Sequence, residues 1–78
     1  MGIQKIKQDE IHIGQNIRAI RLDKGIGQTE LVRQLQLSNI EITRETLVKI
    51  ERGIQHIYAT QLREIRNALG TTYDELLK

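Results

Sequence analysis

Residues 43–53, TRETLVKIERG, decide the fold of this chain. At about 100° per residue, Thr43, Leu47, Ile50 and Ile54 fall on one side of a helix, while Glu45, Val48, Lys49 and Arg52 fall on the other. One face packs and the other stays open to a partner. Thr43 can cap the first turn through its hydroxyl, and Gly53 can take the left-handed conformation that ends a helix without steric cost. The spacing predicts a short, well-bounded helix.

Outward from this segment the chain contains no proline, so glycines and the hydroxyl or amide residues beside them mark the boundaries. They predict five helices. The first covers 12–24, with Ile13, Ile17 and Ile20 at i, i+4 and i+7 and Gly25 as its stop. In the second, 28–36, Leu31, Val32 and Leu35 form the buried stripe, Gly27 is the N-cap and Glu30 lies in the first turn beside the helix dipole. The fourth covers 59–69, with Leu62, Ile65, Ala68 and Leu69 inward, Arg63 and Arg66 outside that stripe, and Gly70 terminating it. Thr72-Tyr73-Asp74-Glu75 then reads as a capping box, in which Thr72 and Glu75 reciprocally satisfy free amides ahead of Leu76 and Leu77. Residues 1–11 make an N-terminal arm whose apolar and charged residues show no decisive period, which fits a strand-like arm, a frayed extension or disorder alike. Residues 12–78 read as one all-α domain.

Seventy-eight residues suffice for one small domain, which buries only ~60% of the surface its unfolded chain exposes and leaves little room for a deep catalytic cleft. With no cysteine there is neither a disulfide framework nor a thiolate metal site, and stability must come from apolar packing. No apolar run approaches the ~20 residues that span a bilayer, and the N-terminus lacks the apolar core of a signal peptide. A cytoplasmic location without a membrane partner is expected. The net charge of +2 and pI near 9.2 permit nucleic-acid binding without requiring it. Twelve basic and ten acidic residues are interspersed, so a binding surface must be created by folding, with Lys5 and Lys7 the only hint of a basic arm. Tyr58 and Tyr73 are the only aromatic residues, too few to stack single-stranded bases, so a duplex fits better.

A helix, a tight glycine turn, a helix opening with glutamine and a third helix ending in Glu-Arg-Gly together resemble the phage-repressor type of helix-turn-helix domain, the Cro/C1 or XRE family. The matching stretches are IRAIRLDKG at 17–25, QTELVRQL at 28–35, TRETLVKIERG at 43–53 and NALGTTYDELL at 67–77. The resemblance implies a compact, lambda-repressor-like five-helix fold. Two departures stand out. Between Leu35 and Thr43 the chain reads QLSNIEI, a few residues longer than the family's usual turn, with the extra length at 38–42 and Ile40 or Ile42 available to cover the core. Glu41 in that loop would repel phosphate. Ile57 and Tyr58 stand where the family often has proline followed by a small hydroxyl residue.

In this family the third helix lies in the major groove, and the helix before it abuts the DNA backbone. Carried over by position, Arg44, Glu45 and Lys49 become candidates for reading bases, with Val48 able to touch a thymine methyl. Arg44 and Lys49 can donate to guanine N7 and O6, whereas Glu45 can only accept from cytosine N4. Without the family pattern the same face reads as solvated charge, with Glu45 and Lys49 an i, i+4 pair and Val48 an ordinary exposed aliphatic. Gln28, in the second helix's first turn, is the phosphate contact that the resemblance implies, and Thr43 and Arg52 join it; Arg52 could equally neutralise the helix C-terminus. Thr46, at the edge of the apolar face, is assigned to packing. The family pattern also sets Arg21 opposite Glu51 as a structural ion pair between the first and third helices. Arg18, Lys24 and Arg33 read as surface charges.

His12 and His56 are far apart with no cysteine to complete a ligand set, so no metal site is expected. Ser38 has no recognisable base and orienting acid, there is no phosphate-cradling glycine-rich loop, and the carboxylates form no catalytic pair. We therefore expect no enzyme and no cofactor. The resemblance implies a sequence-specific binder of double-stranded DNA: a small bacterial or phage transcriptional regulator that represses by occupying an operator as a homodimer. Residues 73–77 are the expected dimer surface unless Leu76 and Leu77 complete the monomer core. The alternative is a helical protein-interaction module of the same fold, antitoxin-like or a regulatory partner, which the modest net charge keeps open.

Overall fold

Residues 5–8 and 11–78 are described by a computed structural model; residues 1–4, 9 and 10 of the expected arm lie outside the described residues. The elements in chain order are β1 (Lys5–Ile6), α1 (Ile13–Asp23), α2 (Gln28–Leu37), α3 (Arg44–Glu51), β2 (Ile57–Tyr58), α4 (Ala59–Leu69) and α5 (Tyr73–Leu77). The all-α, five-helix class read from the sequence holds, with a two-stranded antiparallel sheet as a minor addition. Among the described residues, no helix is long and apolar enough to cross a membrane.

Four helices stop through the same backbone device. Gly25, Gly53 and Gly70 sit at φ of 68°, 78° and 62°, and Asn39 does the same work after α2 at φ 64°. At α1 the Ile26 N–H donates to the Arg21 carbonyl and the Gly25 N–H to the Leu22 carbonyl, both at 3.0 Å. At α2 the Ile40 N–H donates to Leu35 and Asn39 to Gln36, again at 3.0 Å. These paired bonds satisfy carbonyls that a helix end leaves orphaned, and asparagine tolerates the left-handed region better than other residues with a Cβ. Asn39 thereby turns the longer loop back on the molecule. Ile42 is buried, Ile40 packs against the core, and the Gln36 side-chain amide donates to the Ile42 carbonyl at 2.9 Å.

The core is wholly aliphatic. Ile13 and Ile17 of α1, Leu31 and Leu35 of α2, Leu47 and Ile50 of α3, Ile65 of α4 and Leu76 of α5 are all buried together. Here α1 packs on α3, α4 and α5, while α2 packs on α3 and α4. Leu76 thus completes the monomer core, whereas Leu77 stays 38% exposed. Ile57, at the position where the family often has proline, is fully buried in β2 and pairs with Ile6 of β1, so an extended residue with an N–H serves there.

Local corrections follow from the same geometry. Ile54, which the helical period sets inward, is 64% exposed, because α3 ends at Glu51 and the left-handed Gly53 redirects the chain before Ile54. At α5 only the forward half of the expected capping box forms: the Thr72 hydroxyl accepts from the Glu75 N–H at 3.2 Å, while the Glu75 carboxylate pairs with Lys78. A reciprocal side-chain bond occurs instead at α4, where Gln61 Oε1 accepts from the Tyr58 N–H at 2.9 Å. Arg66 lies outside the apolar stripe but is half-buried, its guanidinium 4.8 Å from the centre of the Tyr73 ring, tying α4 to α5.

At Gly14, α1 and α3 approach so closely that a Cβ there would collide with the Ile50 carbonyl. Gln8 seals that approach. Its Oε1 accepts from the Gly14 N–H at 2.6 Å, and its Nε2 donates to the carbonyls of Ile50 and Gln55, each at 3.0 Å. Two residues further along α1, Asn16 Nδ2 donates to the carbonyls of Leu76 and Lys78 at 2.8 and 3.1 Å, holding the C-terminal end of α5. A Gly14→Ala substitution, which elsewhere in a helix would help, is therefore expected to destabilise by about 1–3 kcal/mol through overpacking. Thermal denaturation should show a melting temperature lower by at least ~4 °C, the scale of 1 kcal/mol in a domain this small.

Candidate nucleic-acid interface

Thr43 starts α3 by accepting the Thr46 N–H on its hydroxyl at 3.2 Å, and the two threonine hydroxyls lie 3.1 Å apart. That cap uses Thr43 Oγ1 as an acceptor and leaves its O–H a donor, and it orients Thr46, which is half-buried at the edge of the packed face. The next residues fan outward: Arg44, Glu45, Lys49 and Arg52 are exposed and Val48 is half-buried. All five line one shallow depression on the outer side of α3. Three cations face one carboxylate there, a local charge of +2 equal to the formal charge of the whole chain, while the second carboxylate of α3, Glu51, is buried on the inner side, so the outer face is positive. The ion pairs among the described residues are Arg21–Glu51, Arg63–Glu64 and Lys78–Glu75, and none joins Glu45 to Lys49.

Behind this face lies the one buried ion pair among the described residues. Arg21 Nε donates to Glu51 Oε2 at 2.8 Å and Nη2 donates to Oε1 at 2.9 Å, a bidentate pair whose side chains are 6% and 2% exposed. Arg21 Nη1 donates to the Ile26 carbonyl at 2.9 Å, so one guanidinium braces the α1–α2 turn as well as α3. Gln28 belongs to the same network, its Nε2 donating to Glu51 Oε1 at 3.1 Å. Its half-buried side chain is thus held at the first turn of α2 by the last residue of α3, beside Arg52. The sequence offered Gln28 as a helix-opening residue or phosphate contact; its bond to Glu51 crosses 23 positions and no periodicity reveals it.

The structure brings Arg44, Glu45, Val48, Lys49 and Arg52 onto one surface and sets Thr43 at its edge, where Thr43 also lines a depression with Gln36 and the 39–42 loop. Glu41 in that loop is exposed. Gln8 was missed altogether, because a glutamine in an arm of no clear period carries no signal of a bond to residue 50 or 55. Among the described residues, no three His, Asp or Glu side chains are grouped to hold a metal ion.

No protein-family model matches the chain, and no curated protein sequence matches it closely enough to count as a relative. Solved structures do resemble it. The restriction-modification controller protein C.AhdI from Aeromonas hydrophila is similar over 86% of this chain and 94% of its own, with 24% identity and a TM-score of 0.74. The clp gene regulator ClgR from Corynebacterium glutamicum is similar over 83% of this chain and 64% of its own, with 25% identity and a TM-score of 0.74. A hypothetical transcription factor, NHTF, from Neisseria is similar over 94% of this chain and 87% of its own, with 25% identity and a TM-score of 0.72.

Because Glu51 is almost wholly buried, Arg21→Ala strands a charge that has no water to turn to, and a loss of about 3–5 kcal/mol is expected. Replacing both partners by apolar residues, Arg21→Met with Glu51→Leu, should cost less than either single change. Chemical denaturation of the two single variants and the double variant checks this; equal or additive losses would refute it.

Proposed function

We propose, from the Cro/C1-type helix-turn-helix fold that this chain shares with those regulators, that it is a sequence-specific double-stranded DNA-binding transcriptional regulator. The observation that carries this reading is the outer face of α3, where three cations and one aliphatic side chain share a surface on a helix braced from behind by Arg21 and Glu51. A helix is the element that fits the major groove, and its side chains can meet base edges there. Arg44 and Lys49 read guanine N7 and O6, Val48 meets a thymine methyl, and Glu45 accepts from cytosine N4 where its carboxylate keeps clear of phosphate.

Phosphate contacts from Gln28, Arg52 and Thr43 set the register. Gln28 has two amide N–H groups; one bond to Glu51 fixes the side chain, and the other N–H serves the backbone. The mechanism is steric and reversible: occupying an operator excludes other proteins from it. One domain with a longest extent of 32 Å makes few contacts, and a homodimer on half-sites about 34 Å apart doubles them. Tyr73 and Leu77 of α5, 40% and 38% exposed, supply the dimer surface. No cofactor or metal enters this mechanism, and its setting is the cytoplasm.

Selection of bound duplexes from a random pool tests DNA binding, site symmetry and base preference together. Lys49→Ala is expected to relax preference at one base position at a cost of about 1–3 kcal/mol, whereas Arg52→Ala should weaken all sequences evenly. Absence of duplex binding at low salt would sink the reading in favour of a protein-interaction module.

A further inference from the structure

The two lysines of the N-terminal segment acquire a definite place through the small sheet. β1 runs antiparallel to β2 with Lys5 opposite Tyr58 and Ile6 opposite Ile57. Continuing that register brings Lys7 across from His56. Side chains alternate along a strand, and Ile6 and Ile57 point into the apolar core, so Lys5, Lys7, His56 and Tyr58 share the solvent face. All four are exposed. Two neighbouring depressions bear this out: Lys7 and His56 line one, and Lys5, His56 and Tyr58 line the other.

The chemistry of this face is one-sided. Two lysine ammonium groups, an imidazole and a phenol can each donate a hydrogen bond, and among the described residues no carboxylate lines either depression. Such a surface suits an anion with several acceptor oxygens. It is also held in place, since Gln8 fastens the end of the strand segment to the carbonyls of Ile50 and Gln55 and to the Gly14 N–H. Lys7 directly precedes that fastening. Moreover the chain passes directly from the α3 face into this one: Arg52 lines the outer depression of that helix, and the next two residues, Gly53 and Ile54, line the one beside Lys7.

We infer that the solvent face of the β1–β2 sheet is a second phosphodiester-binding surface, which grips the duplex backbone beyond the base pairs that α3 reads. Continuity with the α3 face selects duplex backbone over an acidic protein as the occupant. The inference rests on the DNA-binding reading above and extends its footprint from one helix to the sheet.

The test compares the intact chain, Lys5→Gln/Lys7→Gln and Lys5→Arg/Lys7→Arg on a selected duplex across a salt series, with circular dichroism melting to establish that all three are folded. Each phosphate contact contributes about 0.9 to the slope of log K against log salt. The glutamine variant should show a slope shallower by about 1–2 and a several-fold weaker affinity at low salt, and the arginine variant should restore both. A glutamine variant with the slope and affinity of the intact chain would overturn the sheet-face inference while leaving DNA binding by α3 intact. An intact chain that binds no duplex would overturn both.

Discussion

Glu51 accepts three hydrogen bonds, two from Arg21 and one from Gln28, and each comes from a different part of the fold than α3 itself. The free energy of such a buried pair is modest, because desolvating two charges offsets most of their attraction. Its value lies in geometry. A bidentate fork fixes distance and plane together, so the outer face of α3 is set at a defined angle to α1 and α2. Hydrophobic contacts among Ile17, Leu31, Leu47 and Ile50 drive the packing, yet aliphatic chains alone tolerate sliding and rotation. The fork removes that freedom at the end of the helix that carries Lys49 and Arg52.

A second set of constraints comes from the opposite side. Gly14 allows α1 and α3 to approach until backbone meets backbone, and Gln8 fills the remaining hydrogen-bonding demand with one side-chain amide. The longer loop between α2 and α3 is compatible with this frame because it folds inward. Asn39 ends α2, Ile42 enters the core, and Gln36 holds the Ile42 carbonyl, so the added residues leave the α2–α3 packing intact.

Periodicity, caps and glycine stops made most of the helical framework legible from the residues alone. The span of α4, 59–69, and the inward set of α2 are properties of a local run, and local runs are what a 3.6-residue period describes. The period failed at Ile54, where it was carried past the end of the helix. Asn39 escaped notice because glycine is the usual left-handed stop. Beyond these, the unseen features are long-range: Gln8 to Ile50, Asn16 to Leu76, Gln28 to Glu51. A polar side chain announces its capacity for hydrogen bonds, but its partner is chosen by tertiary packing. Gly14 is the same lesson inverted, since inside a helix glycine reads as a weak residue until the neighbour it admits is known. For the outer face of α3, the common side of Glu45, Val48, Lys49 and Arg52 was legible from the period, and the bond from Gln28 that braces it from behind was not.

The ring-free core has an optical consequence. Tyr58 and Tyr73 are the only aromatic chromophores in these 78 residues, and both lie at the surface, one on the small sheet and one beneath the Arg66 guanidinium. Near-ultraviolet dichroism and intrinsic fluorescence therefore watch the β1–β2 face and the α4–α5 junction, while the aliphatic interior is silent. A change in either signal reports an event at one of those two places, and backbone dichroism reports the helices. Coincidence of the two transitions on heating would establish that sheet, junction and core come apart as one cooperative unit.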